Sequence, residues 1–321
     1  MARRGPCRVA LCALAIAIFT TGGFAEDLSR FVGEKTLATI RAAAPASAAA
    51  KPAQARKVLV LTESARDLET AQKNQGMKFV PHSSAPHCAL AVAILGEKTG
   101  AFEATIVSDP KALSADGLKG FDAIVLANVY LESKLYKTPR DLNPKQAPEY
   151  EARQKALLEF VRGGKGFVAI HSAAYMCPKS KWPGYAEMLG AVFVNHPWHQ
   201  KVRVIVEDRK HPATAHLGET FEIHDEIYQF GSWSRQKTHV LLSLDNSSVD
   251  VKNKRVRRKD LDFALAWCHT YGKGRVFYTA LGHDRNVWDD PRFRKHVLGG
   301  ILWALGEADA DIPLGFDGRA K

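Results

Sequence analysis

Cysteine is scarce in this sequence, 5 in 321 residues, and no Cys-x-x-Cys occurs. Cys7 and Cys12 lie in the first 25 residues; Cys88, Cys177 and Cys268 are an odd remainder whose spacing demands no disulfide. Long apolar runs are also missing. The stretch Val9 to Phe19 is about half the length of a membrane span, which needs about 20 residues. There is no His-Glu-x-x-His, no Gly-x-Ser-x-Gly around Ser172 and no fixed-period repeat. Their absence removes a fixed-offset metalloprotease site, a serine-hydrolase elbow and a solenoid or propeller.

What is present has ordinary globular proportions: 46% hydrophobic, 25% charged and 9% aromatic residues, which excludes disorder over most of the chain. The first 25 residues have the three parts of a secretory signal. Arg3, Arg4 and Arg8 precede the apolar stretch, and Gly23-Phe24-Ala25 supplies a small-x-small cleavage site. The expectation is export to the periplasm or beyond, with no membrane span after cleavage. Loss of those three arginines lowers the formal charge from +11 to +8, and the six cations between Val251 and Lys259 account for most of what remains. That run has no interleaved aromatics, so it reads as a solvated hairpin-like loop and not as a nucleic-acid surface.

Residues 26–55 are Ala- and Pro-rich and read as a tether with little to bury, followed by one domain over 56–308 and a tail over 309–321. Lys57 to Thr62, Glu103 to Ser108, Phe121 to Ala127 and Gly166 to His171 are short apolar runs of the kind buried on both faces of a parallel sheet. Helical patterns at Ser84–Leu95 and Glu149–Arg162 alternate with them. Six more strands, at 191–195, 202–207, 221–230, 239–244 and 263–281 (the last range a hairpin pair about Gly272-Lys273-Gly274), precede a closing helix at Pro291–Leu305. The pattern predicts an α/β fold, a doubly wound, mostly parallel sheet with an antiparallel β extension.

In such sheets ligands bind at the carboxyl ends of the strands. His171 ends a strand and is followed at once by the small residues Ser172, Ala173 and Ala174, the place of a nucleophile elbow. His196 and His199 follow another strand. His224, Asp225 and Glu226 stand in succession, and strand alternation puts His224 and Glu226 on one face with Asp225 opposite. His283 and Asp284 end the hairpin. Histidines and a carboxylate converging on one pocket can hold a divalent metal with an open position, or act as acid, base and orienter without one.

As an ordered series, Gly163-Gly-Lys-Gly-Phe-Val-Ala-Ile-His-Ser-Ala173, Trp182-Pro-Gly-Tyr185, Asn195-His-Pro197, His211-Pro212, the Asp-Glu-x-Tyr of 225–228 and Tyr271 through His283 resemble the ThuA-like family, named for trehalose utilisation. The resemblance runs from about Lys57 to Gly306. It implies a class I glutamine amidotransferase-like fold with His171 in place of the amidotransferase cysteine, hence no amidotransferase chemistry. It also implies sugar catabolism, of a trehalose-type disaccharide or its keto derivative.

The expected machinery is then His171, Glu226, Asp225 and His283 as catalytic groups. His82, Ser172, Tyr228 and Trp198 are expected to bind substrate, and His171, His196 and His283 to hold zinc or manganese. No nucleotide cofactor is expected, and the expected partner is a small carbohydrate, with homo-oligomers allowed. Two other readings stay open: a non-catalytic sugar-binding module that stacks Trp182, Trp198, Trp233 and Tyr228 on sugar faces, and a hydrolase using Cys177.

Overall fold

The computed structural model describes residues 24–50, 52, 54–65, 68–69, 82–130, 147–175 and 182–314. Its centre is one nine-stranded sheet. The strands are β1 (Lys57–Leu61), β2 (Glu103–Val107), β3 (Ala123–Ala127), β4 (Gly166–Ile170), β5 (Phe193–Val206), β6 (Thr220–Phe230), β7 (His239–Leu244), β8 (Ala264–Tyr271) and β9 (Gly274–Thr279), in the spatial order β2-β1-β3-β4-β9-β8-β7-β5-β6. The β2-β1-β3-β4-β9 half is parallel and the remainder is antiparallel, as the alternating and then strand-rich texture of the sequence predicts.

Every residue of β3 and β4 is buried, which is why these strands read as continuous apolar runs without alternation. Successive side chains enter opposite cores. Val58, Val60, Val125 and Val168 join one, beneath α3 (Ala85–Thr99) and a C-terminal helix (Pro291–Ala304). Leu59, Leu61, Ile124 and Phe167 join the other, with Leu157 and Val161 of the helix Ala147–Arg162 and with Tyr185, Met188 and Leu189 of the helix Pro183–Leu189. The β8–β9 hairpin turns at Gly272, whose φ of 61° is left-handed and where a Cβ would lie 2.8 Å from the Arg162 carbonyl oxygen. Only glycine meets both demands.

Three expectations differ from the structure. Residues 191–195 and 202–207 belong to a single strand, β5, whose register with β6 shifts between Phe193 and Trp198. Pro197 has no N–H to give the ladder, so the strand bulges there instead of ending. The 26–55 tether carries two helices, α1 (Phe24–Val32) and α2 (Glu34–Ala43), with Leu28, Leu37 and Ile40 buried against α3. A few apolar residues at helical spacing are enough to dock an otherwise small-residue helix. Third, the 251–259 run is not merely solvated: it is a loop of turns pinned to β5 and β6. The buried Gln229 donates to the Arg255 carbonyl (2.7 Å) and accepts from the Arg257 and Arg258 N–H groups (2.8 and 3.2 Å). Residues 131–146, Cys177 and residues 1–23 lie outside the described residues. Cys88 and Cys268 are buried free thiols, as expected, and burial pushes both thiols well up. Among the described residues no helix is long and apolar enough to cross a membrane.

Candidate functional site

The carboxyl ends of β3, β4 and β9 meet at one place, and β6 reaches it from the antiparallel half. After β4 the chain turns through a single 3-10 turn, His171–Ala174, all four residues buried. His171 takes a φ of 46°, which is sterically costly for a residue with a Cβ and is held here by its surroundings. The Tyr278 hydroxyl donates to its carbonyl (2.9 Å), and its Nδ1 faces the Ala280 carbonyl oxygen at 2.6 Å. A carbonyl only accepts, so Nδ1 carries a proton, and Nε2 is directed into the site.

That Nε2 lies 3.1 Å from His283 Nδ1 and 3.4 Å from Glu226 Oε2. His283 Nδ1 is 3.3 Å from the same oxygen, and His196 Nδ1 holds Glu226 Oε1 at 3.0 Å. The His82 ring stands edge-on to both, 5.0 Å from His171 and 4.6 Å from His283 between centroids, and its Nδ1 is buried with no hydrogen-bond partner among the described residues. One donor atom from each of His82, His171, Glu226 and His283 lies within 4.8 Å of the others. Tyr228 covers His171 at 4.1 Å and Tyr130 covers His82 at 4.9 Å.

The charges follow from this crowding. Burial alone would raise the Glu226 carboxyl, but the hydrogen bonds from His171, His196 and His283 outweigh it and hold it far below the carboxylate range. Burial pulls His283 down and Glu226 more than reverses it, leaving it raised. His82 is pushed well below its ordinary value by burial and by its two neighbouring imidazoles, so it is neutral.

A second set of side chains fixes the loop that presents His283. Asp225, fully buried, accepts from the Gly282 N–H at 2.6 Å and the Asp284 N–H at 3.0 Å. The Trp288 indole donates to the Gly282 carbonyl (3.1 Å), and Ser84 donates to that of His283 (2.5 Å). Asn128, at the end of β3 with φ 52°, donates to Ser84 Oγ (2.7 Å) and accepts from the Ser172 hydroxyl (2.7 Å). Asn128 and Ser84 carry no signal in the sequence beyond the tolerance of asparagine for left-handed backbone at a strand end.

The expected site residues therefore divide. His171, Glu226, His283 and His82 converge, and Tyr228 walls the cluster. Asp225 stands apart from the cluster and holds the backbone N–H groups of Gly282 and Asp284. Ser172 is fully buried and committed to Asn128. His196 binds the carboxylate instead of joining the four-donor set, in which His82 stands. Trp198 is core: it is buried, packs edge-on against Phe263 at 5.1 Å and donates to the Asp250 carbonyl. Trp182 and Trp233 are buried as well, so none of the three tryptophans offers a face for a sugar.

The donor set fits a divalent cation. Three imidazoles and one carboxylate suit zinc or a neighbouring transition metal. The Ala280 carbonyl already orients the His171 ring as a ligating imidazole needs, His82 is neutral, as ligation requires, and its buried Nδ1 lacks any other partner among the described residues.

With that geometry in hand, comparison with known proteins places the chain. The profile of the ThuA family, described as trehalose utilisation, matches residues 57–304. A ThuA-like protein of Bacteroides uniformis ATCC 8492 has a similar crystal structure, at 24% identity and a TM-score of 0.58, over 80% of this chain and 94% of that one. Another, from Parabacteroides merdae ATCC 43184, is similar at 17% identity and a TM-score of 0.50, over 84% and 96%. No curated protein matches the sequence.

Proposed function

This chain belongs to the ThuA family, and from that premise we propose that it is an exported, sugar-active enzyme working by histidine–carboxylate acid–base chemistry on a keto-sugar or trehalose-type disaccharide. The observation that carries the proposal is the convergence of His82, His171, Glu226 and His283 at the carboxyl ends of the strands. These four residues would hold a divalent cation, which supplies Lewis acidity and so acidifies the C–H bond beside a sugar ketone.

The chain's own groups do the rest. Glu226 is a carboxylate across the working pH range, and its Oε1, paired with His196, takes the proton from substrate. The partly exposed His196 exchanges that proton with solvent. His196, which stands outside the four-donor set, is also the acid that returns a proton. Tyr228 and Tyr130 wall the cluster and keep bulk water from the imidazoles. Export rests on the arginine-led apolar segment and small-x-small site of residues 1–25.

The test uses residues 26–321 expressed without a polyhistidine tag. Near-stoichiometric zinc or manganese by mass spectrometry is expected, lost in His171→Ala. Turnover of a keto-disaccharide should fall at least about 100-fold in Glu226→Gln, the usual scale for a general base. Wild-type turnover in both variants would sink the assignment. Saturable sugar binding without turnover would make the protein a binding module.

A further inference from the structure

Outside the inner cluster, at the mouth of the same edge, lies a second group of donors. Asp284 Oδ2 faces His199 Nε2 at 2.9 Å and His224 Nδ1 at 3.1 Å. The His199 and His224 rings are 5.5 Å apart. His199, His283 and Asp284 each place a donor atom within 4.8 Å of the others.

The sheet puts them there. His199 is registered opposite Glu226 in the β5–β6 ladder, and His224 is two residues from Glu226, so the three side chains share one face as direct and diagonal neighbours. Asp284 is brought up to them by the loop whose N–H groups Asp225 holds. His283 lies between the two groups: its Nδ1 faces Glu226 and His171, while its Nε2 is 4.0 Å from Asp284 Oδ1.

We infer that His199, His283 and Asp284 form a second divalent-cation site, next to the inner one and sharing His283 with it, and that His224, paired with Asp284, supports it. Two imidazoles and one carboxylate are the donor set of an open site: they suit zinc and its neighbours and leave positions for oxygen ligands. Solvent reaches these donors, the His199 and His283 side chains being 43% and 24% exposed, so the outer cation exchanges faster than the inner one, whose other donors are mostly enclosed. The oxygens that complete the outer site would come from water or from a polyhydroxylated substrate at the mouth.

The inference does not rest on a cation in the inner cluster, and the experiment separates the two. The untagged protein is saturated with zinc alone, desalted, and its zinc counted by mass spectrometry in wild type, His171→Ala and the double variant His199→Ala/His224→Ala. The expected counts are two, one and one, and a chelator should remove one wild-type zinc at least 10-fold faster than the other. The fast phase should be missing from the double variant. Cobalt(II) absorption gives a second readout: the double variant should lose one of two titration steps. One zinc per wild-type chain that the double variant retains overturns the outer site and leaves the proposed function standing. One zinc lost in the double variant and kept in His171→Ala overturns the inner site and supports the outer. No zinc in wild type overturns both. Unchanged thermal melting of the double variant checks that exposed side chains alone were removed.

Discussion

Asp225 illustrates how a buried carboxylate can hold a loop in place. It is wholly buried, which raises its carboxyl above the ordinary value, and both its oxygens accept from the loop that carries His283. Asp225→Asn puts an amide donor against one of two N–H donors and leaves a buried group unpaired, a change that costs about 1–3 kcal/mol. The variant should unfold at lower denaturant concentration, with an unchanged m-value, and should bind metal at His283 more weakly. Wild-type stability in Asp225→Asn would mean that the loop is held by Trp288 and Ser84 alone. The Asp-Glu pair was legible in the sequence as two groups on opposite strand faces. Their separate duties were not, because alternation gives direction along one strand and says nothing of what the neighbouring loop presents.

The N-terminal helices carry the clearest lesson among the elements. Composition made residues 26–55 a tether, since alanine and proline offer little area to bury. Yet α1 and α2 dock on α3, and the contact is polar as well as apolar: Arg41 makes a bidentate pair with Glu97 (2.9 and 2.8 Å), and Lys98 donates to the carbonyls of Arg41 and Ala44 (both 2.9 Å). Ile40 is fully buried, and the buried Arg294 donates to its carbonyl (3.1 Å). Ile40→Ala should therefore cost about 2–4 kcal/mol in chemical denaturation, the range for a large-to-small core change, where a free tether would show none. The parallel strands, by contrast, were legible, because a strand covered on both faces needs an unbroken apolar run.

Across the whole molecule, burial of histidine sets the response to acid. Desolvation is the leading cause that pulls His87 and His269 to about 4 and His211 and His296 to about 3, against an ordinary 6.5. All four are neutral in the folded protein, and the unfolded chain binds their protons first. Stability is thus complete above about pH 6.5 and is lost as pH falls towards the folded values. Each such group costs about 1.4 kcal/mol per pH unit in that window, so four together amount to several kcal/mol by pH 5.5. The melting temperature should fall steadily from pH 7 to pH 5. A flat profile would mean that these imidazoles accept protons without unfolding.

What the sequence alone determined was everything local: the buried strands, the alternation of strand and helix, the hairpin at Gly272, the placing of His171 and His283 at strand ends and that of Glu226 on one face of a strand. Only the tertiary structure decided which of these residues meet. Convergence depends on the order β3-β4-β9 and on the antiparallel strands that bring β6 back to the same edge, and sequence spacing carries no information about either. For that reason His82 enters the donor set and His196 does not, Trp198 belongs to the core, and His199, His224 and Asp284 become neighbours. A side chain's chemistry is its own; its partners are set by the strand crossings that fold the chain upon itself.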